Sequence, residues 1–132
     1  MLFRSLTYVT GGPFQYAVAD ALALPDAFYA SISADLRGKR DLLCTGLAEV
    51  GFEVYRPAGT YFITTDVRGL GEQDGMEFCR ALPRRAGVVA IPSSVFYDDQ
   101  EAGRTQVRFA FCKKEEVLRE ALARLAGMSR AG

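Results

Sequence analysis

Apolar and other residues alternate one by one through the segment 105–112. Successive side chains of a β-strand point to opposite faces, so this period of two predicts a strand. One face carries the large apolar residues Val107, Phe109 and Phe111, and the other carries Arg108, Ala110 and Cys112. An arginine is thus held in mid-strand between two large hydrophobic residues, on a face whose other members are small.

Arg108 allows two interpretations. A guanidinium is costly to desolvate unless it is paired, and its planar fork matches a carboxylate in bidentate fashion. The strand could therefore hold an anion-binding arginine. The strand by itself favours the other interpretation, an edge strand whose Arg108 simply lies in water.

The hydrophobic pattern upstream predicts two helices. The first covers about Pro13 to Leu24 and ends before Pro25. The second is long, from Asp26 to a C-terminal Gly51, because its apolar residues recur at spacings of four and seven. Its length of roughly 35 Å at 1.5 Å per residue exceeds what a core of this size needs, and it suits a connection between two bodies.

The rest of the chain alternates strand and helix signals. Two short strands at 52–55 and 60–65 are expected to pair, and a helix capped by Asp74 is expected to end or kink near Leu82, because Pro83 removes an N–H. A buried strand at 87–91, a polar loop at 93–103, the Arg108 strand and a helix at 114–126 follow. This order predicts an α+β fold, a small and mainly antiparallel sheet covered by helices and preceded by the long connecting helix.

Composition excludes several classes of protein. The 132 residues suit one core, and 16 acidic and 16 basic residues balance, so no basic stripe indicates nucleic acid. No segment is apolar for long enough to span a membrane, so a soluble, cytoplasmic protein is expected. The three cysteines have no C-x-x-C spacing and are expected to be reduced, mostly buried thiols.

Candidate chemistry within the chain is sparse. Histidine is absent, which removes the commonest general base and most zinc sites. The loop carboxylates Asp98, Asp99 and Glu101 lack the spacing of a calcium loop, and no phosphate-binding glycine motif is present. The lysines Lys39, Lys113 and Lys114 are expected in solvent, so no catalytic residue and no metal site is predicted.

Four segments, in this order, nevertheless resemble the C-terminal third of class I/II pyridoxal-phosphate aminotransferases of fold type I. They are Pro13–Ala19, Pro57–Phe62, Gly87–Tyr97 and Val107–Leu125. The chain is most similar to the branch with actinobacterial N-succinyldiaminopimelate aminotransferases, which belong to lysine and diaminopimelate biosynthesis, and with kynurenine and methionine aminotransferases.

The resemblance implies roles for individual residues. The arginine of the family's Val-Arg-Phe motif binds the substrate's α-carboxylate, and its position here is Arg108. The segment 8–12 matches one that reaches the partner subunit's active site, which makes Tyr8 and Thr10 pocket candidates in a homodimer. Residues 1–25 would belong to the large-domain or dimer interface, and residues 26–132 would form the small domain.

The resemblance also implies what this chain lacks. The family's cofactor-anchoring lysine and most cofactor ligands belong to sequence that would precede Met1. We therefore expect that the complete enzyme uses pyridoxal 5′-phosphate to exchange amino groups between amino acids and 2-oxo acids, and that the isolated chain binds no cofactor and is inactive. The alternatives are a stand-alone α+β binding or regulatory module that dimerises, and a thiol enzyme that uses one cysteine.

Overall fold

A computed structural model of the protein describes residues 12–129. The chain divides into two compact units after Ala34. The first unit holds helix α1 (Gly12–Leu22) and the beginning of helix α2 (Asp26–Val50). Within it the Tyr29 hydroxyl donates a hydrogen bond to the Ala21 carbonyl, and this bond ties the two helices together.

The long helix is confirmed, and part of its apolar stripe is buried in the hydrophobic core. In the second unit Leu43, Leu47 and Val50 are buried. The helix ends at Gly51, whose φ of 112° lies in the region that favours glycine. The N–H of Gly51 bonds to the Ala48 carbonyl at 3.0 Å and that of Phe52 bonds to the Leu47 carbonyl at 3.1 Å, the pair of bonds that closes a Schellman motif.

The sheet has four strands, and every neighbouring pair is antiparallel. Strands β1 (Glu53–Tyr55), β2 (Phe62–Asp66), β3 (Ile91–Pro92) and β4 (Gln106–Ala110) lie in the order β1-β2-β4-β3. The α+β fold and the pairing of the first two strands are therefore confirmed. Because β4 lies between β2 and β3, the interpretation of the Arg108 strand as an edge strand is wrong.

One face of this sheet forms the core. The buried side chains Ile63 and Thr65 of β2 lie next to Val107 and Phe109 of β4. Phe52 packs edge to face on Phe109, with ring centroids 5.4 Å apart. Residues of α2, of α3 (Gly75–Ala86) and of α4 (Glu115–Ser129) complete the buried cluster. The other face of β4, with Arg108, is not covered by these helices.

Helix α3 begins as predicted and ends later than predicted. The Asp74 carboxylate accepts hydrogen bonds from the N–H groups of Met76 at 2.8 Å and Glu77 at 3.0 Å. Of the predicted end or kink near Leu82, the end is wrong, because the helix continues through Pro83 to Ala86. Pro83 is exposed, and the N–H of Gly87 closes the last turn on its carbonyl at 3.0 Å.

The segment after α3 also differs from the prediction. The strand expected at 87–91 is reduced to Ile91–Pro92, because only these residues pair with β4. The segment is also not fully buried, since Val89 is 75% exposed. Pro92 is tolerated there because β3 is at the sheet edge. The expected loop contains two short 3-10 helices, Ser93–Phe96 and Gln100–Gly103.

Across residues 12–129, no helix combines the length and the apolar character needed to cross a membrane.

Candidate functional site: an arginine between two aromatic rings

Arg108 lies at the centre of the uncovered sheet face. It is directly opposite Thr64 of β2 and Ile91 of β3. Phe62, two residues before Thr64, is diagonal to it on the same face. The Arg108 Cζ is 4.8 Å from the centre of the Phe62 ring and 4.1 Å from the centre of the Phe96 ring. Neighbouring elements on both sides of β4 therefore supply a ring each.

The guanidinium has no acidic partner among residues 12–129. No carboxylate of this range lies within the 4.0 Å of an ion pair, and the buried Nε atom has no hydrogen-bond acceptor there. A half-buried cation with an unmet donor is unfavourable unless an acceptor arrives from elsewhere. The arrangement therefore suits an anionic ligand.

The carboxylate nearest to Arg108 by sheet register is already engaged. Asp66 is on the same strand as Thr64, two residues further, and it is 1% exposed. It accepts hydrogen bonds from the Arg68 N–H at 2.9 Å, from the Arg68 Nε at 3.0 Å and from the Thr105 hydroxyl at 2.7 Å. Asp66 is thus paired with Arg68 and Thr105 and forms no ion pair with Arg108.

The same bonds control the ionisation of Asp66. Burial alone would raise the pKa of this carboxyl, but the side-chain and backbone hydrogen bonds from Arg68 and the bond from Thr105 outweigh it, so the pKa is lowered. Asp66 is therefore ionised and paired at neutral pH.

Cysteine and metal chemistry receive no support in the part of the chain that the structure describes. Burial raises the pKa of the Cys44 thiol and raises that of Cys79 to about 11, which disfavours the reactive thiolate in both. Cys112 is exposed, contrary to the expectation of mostly buried thiols, because it follows the last paired residue of β4. Within residues 12–129 no three His, Cys, Asp or Glu side chains are grouped to hold a metal ion.

Comparison with known proteins gives this arginine a context. The profile of the family described as aminotransferase class I and II matches residues 2–125. The chain belongs to this aminotransferase family.

Individual relatives agree. The chain is 47% identical over 129 residues to the probable N-succinyldiaminopimelate aminotransferase of Mycobacterium tuberculosis, covering 92% of this chain and 32% of that protein. It is 38% identical to the methionine aminotransferase of Escherichia coli, covering 91% of this chain and 31% of the relative. The chain thus spans about a third of the length of the curated relatives it matches.

Solved aminotransferase structures share the fold. The M. tuberculosis N-succinyldiaminopimelate aminotransferase superposes with a TM-score of 0.84 at 48% identity, over 95% of this chain and 33% of that one. The E. coli protein with methionine aminotransferase function gives a TM-score of 0.79 at 36% identity, over 94% of this chain and 32% of that one.

Enzymes of this family depend on pyridoxal 5′-phosphate, which is held through a lysine. Anchoring the cofactor requires a lysine amine that is enclosed and free of other partners, but Lys39 bonds to Asp35 at 2.6 Å. Lys113 and Lys114 are exposed just before α4. The described residues therefore do not fit a cofactor site by themselves.

The structure places some of the predicted site residues and not others. Arg108 is on the uncovered face of an inner strand, with its fork unpaired within the described residues. Tyr8 and Thr10 lie outside the described residues. The rings of Phe62 and Phe96 were missed as neighbours of Arg108, because the register between β2 and β4 and the turn after β3 cannot be deduced from the sequence.

The lowered pKa of Asp66 makes a prediction about stability and pH. Below the pKa of the unfolded state, about 4, the unfolded chain binds more protons than the folded one, so the contribution of Asp66 is complete at neutral pH and is lost as pH falls through the lower folded pKa. Asp66→Asn should lower the free energy of unfolding at pH 7 by about 1–3 kcal/mol, since a buried partner of Arg68 and Thr105 is lost. Urea unfolding measured from pH 7 to pH 3 should show this difference shrinking.

Asp98→Asn, which changes an exposed carboxylate, is the control and should have little effect at any pH in this range. An Asp66→Asn penalty that stayed constant down to pH 3 would contradict the assignment of a lowered pKa.

Proposed function

We propose that this chain is the C-terminal portion of a pyridoxal-phosphate-dependent aminotransferase, and that Arg108 binds the α-carboxylate of the amino acid. The family match supports the reaction class. The observation that carries the role of Arg108 is its guanidinium, which lies on an uncovered sheet face without an acidic partner in residues 12–129. A carboxylate bound to the guanidinium would supply the missing opposite charge.

The chemistry of this chain in such an enzyme is binding and orientation. A planar guanidinium can hold both oxygens of a carboxylate, which fixes the rotation of the amino acid as well as its position. The cofactor, when bound to the complete enzyme, supplies the electron sink for the reaction. Binding the substrate in one orientation contributes much of the rate enhancement, because the reacting groups are then already close to the productive geometry.

The substrate class follows from the relatives. Among the relatives compared, the M. tuberculosis protein named for N-succinyldiaminopimelate shares 47% of its aligned residues with this chain, against 38% for the methionine enzyme. We therefore infer an amino donor and a 2-oxo acid acceptor in cytoplasmic diaminopimelate and lysine biosynthesis. Tyr8 and Thr10 stay proposed pocket residues that a subunit would offer to its partner.

A hybrid enzyme provides the test of Arg108. In it, this chain replaces the corresponding region of the M. tuberculosis aminotransferase, to which it is 48% identical. Arg108→Ala should lower kcat/KM for the amino acid at least a hundredfold, because two charge-assisted hydrogen bonds of about 1.5–3 kcal/mol each are lost. Arg108→Lys should recover only part of this, since an ammonium lacks the planar fork.

Arg84→Ala is the matched control, because Arg84 is an exposed arginine on α3. It should leave kcat/KM within about twofold of the unchanged hybrid. Wild-type kinetics in Arg108→Ala would remove Arg108 from the site. A folded, cofactor-loaded hybrid without any activity would contradict the whole proposal.

The isolated chain should be inactive, because no described lysine is placed to anchor the cofactor. Incubation with pyridoxal phosphate, an amino acid and a 2-oxo acid should give no turnover. After reduction with borohydride, mass spectrometry should find no stoichiometric attachment of the cofactor to a single lysine. Turnover accompanied by such an attachment would show that the chain has a cofactor site of its own.

The alternative function, a binding module that dimerises, has one supporting observation. The first unit exposes large apolar side chains along both of its helices: Phe14 at 69%, Tyr16 at 78%, Leu22 at 74%, Phe28 at 46% and Ile32 at 43%. A surface of this kind is typical of an interface. Both functions therefore require that the unit be covered, by a second copy of the chain or by the remainder of an aminotransferase.

We accordingly expect the isolated chain to self-associate. Analytical ultracentrifugation should detect dimers or larger species, and the double variant Phe28→Glu and Ile32→Glu should shift the population toward monomer by placing charges on this surface. Val117→Glu is the control, since Val117 on α4 is similarly exposed at 47% and belongs to the second unit. A chain that is monomeric at high micromolar concentration would refute this expectation.

A further inference from the structure

The two rings beside Arg108 approach it from opposite neighbours of its strand. Phe62 comes from β2, which pairs with β4 along five residues. Phe96 ends the 3-10 helix Ser93–Phe96, which begins directly after β3, the strand that pairs with β4 on the other side. The Cζ distances of 4.8 Å and 4.1 Å are well within the roughly 6 Å range of a cation–π interaction.

Stacking of this kind restrains a guanidinium differently from an ion pair. A carboxylate partner would occupy the N–H groups, whereas a ring interacts with the flat π face of the cation and leaves the N–H edge for another acceptor. The Phe62 and Phe96 rings thus stabilise the Arg108 cation without accepting hydrogen bonds from its N–H groups. The buried Nε has no acceptor among the described residues.

The position of Phe96 is itself held by close packing. Ser94, in the same 3-10 helix, is buried, and Gly103 of the following 3-10 helix lies against it. A Cβ at Gly103 would be 3.0 Å from the Ser94 nitrogen and 2.7 Å from the Tyr97 ring. Contacts with Gly103 therefore restrain the backbone on both sides of Phe96, although Phe96 itself is 58% exposed.

We propose that Phe62 and Phe96 are positioning residues that clamp the Arg108 guanidinium by its π system and so orient its N–H edge for the substrate carboxylate before the substrate arrives. The inference rests on the proposed function, because a role in positioning needs a carboxylate to be bound. The two rings explain how an arginine with no acidic partner in the described chain can keep one orientation. A fixed orientation favours tight bidentate binding, because less conformational freedom is lost when the carboxylate binds.

Phe96→Leu is the decisive variant. Leucine keeps an apolar side chain but has no ring, and because the ring is mostly exposed the variant should fold. In the hybrid enzyme, KM for the amino acid should rise about 3- to 30-fold, the range expected for loss of a cation–π contact, with kcat changed less than threefold. KM for an amine without a carboxylate should not change. Phe96→Tyr, which keeps the ring, should restore the original KM.

A spectroscopic measurement on the full 132-residue chain needs no cofactor. Protons above the face of an aromatic ring are shifted upfield, so the Arg108 Nε–H signal, identified by its loss in Arg108→Lys, should be upfield of the other arginine signals. It should move toward them in Phe96→Leu and in Phe62→Leu. Tyr55→Leu is the control, because Tyr55 is an exposed aromatic residue on the same sheet face in β1.

The outcomes separate this inference from the proposed function. If Arg108→Ala leaves kinetics unchanged, the proposed function fails and the clamp has nothing to position. If Arg108→Ala is severely impaired but Phe96→Leu has the original KM, or if the Nε–H signal does not respond to loss of either ring, Arg108 binds the carboxylate without a clamp and this inference is wrong.

Discussion

A half-buried guanidinium on an inner strand is the constraint that the second unit has to satisfy. Arg108 is half-buried, with β2 and β3 on the two sides of its strand. It is not neutralised by the carboxylate closest in register, since Asp66 is enclosed by Arg68 and Thr105. The aromatic rings of Phe62 and Phe96 stabilise the cation without occupying its donors. Within residues 12–129 the folded chain therefore keeps a guanidinium that is paired with no acidic side chain.

The two faces of the sheet explain how such a site can coexist with a stable fold. Ile63, Thr65, Val107 and Phe109 place the apolar side of the sheet against three helices, so the hydrophobic core does not depend on the face that carries Arg108. The uncovered face can then be assigned to binding. Three concave surfaces are not lined by Arg108: one between the end of α3 and α4, one between residues 87–89, β4 and α4, and one between α2 and α4.

The division of the chain into two units fits its place in the aminotransferase family. It covers about a third of its relatives, and the described residues provide an arginine without an acidic partner but no lysine suited to the cofactor. A site of this kind is complete only when other parts of an enzyme supply the remaining groups. The apolar side chains exposed on α1 and on the beginning of α2 are consistent with the same conclusion.

Local patterns in the sequence were sufficient for the long helix, for the strand that carries Arg108 and for the face of that strand on which Arg108 lies. Period-two alternation assigned Val107 and Phe109 to the core, and the apolar stripe with Gly51 defined the long helix, because both depend only on neighbours along the chain. Tertiary structure decided the rest. The strand order places β4 inside the sheet. Helix α3 continues past Pro83. The strand register and the turn after β3 place Phe62 and Phe96 next to Arg108. These features depend on contacts between residues far apart in sequence, which no local period encodes.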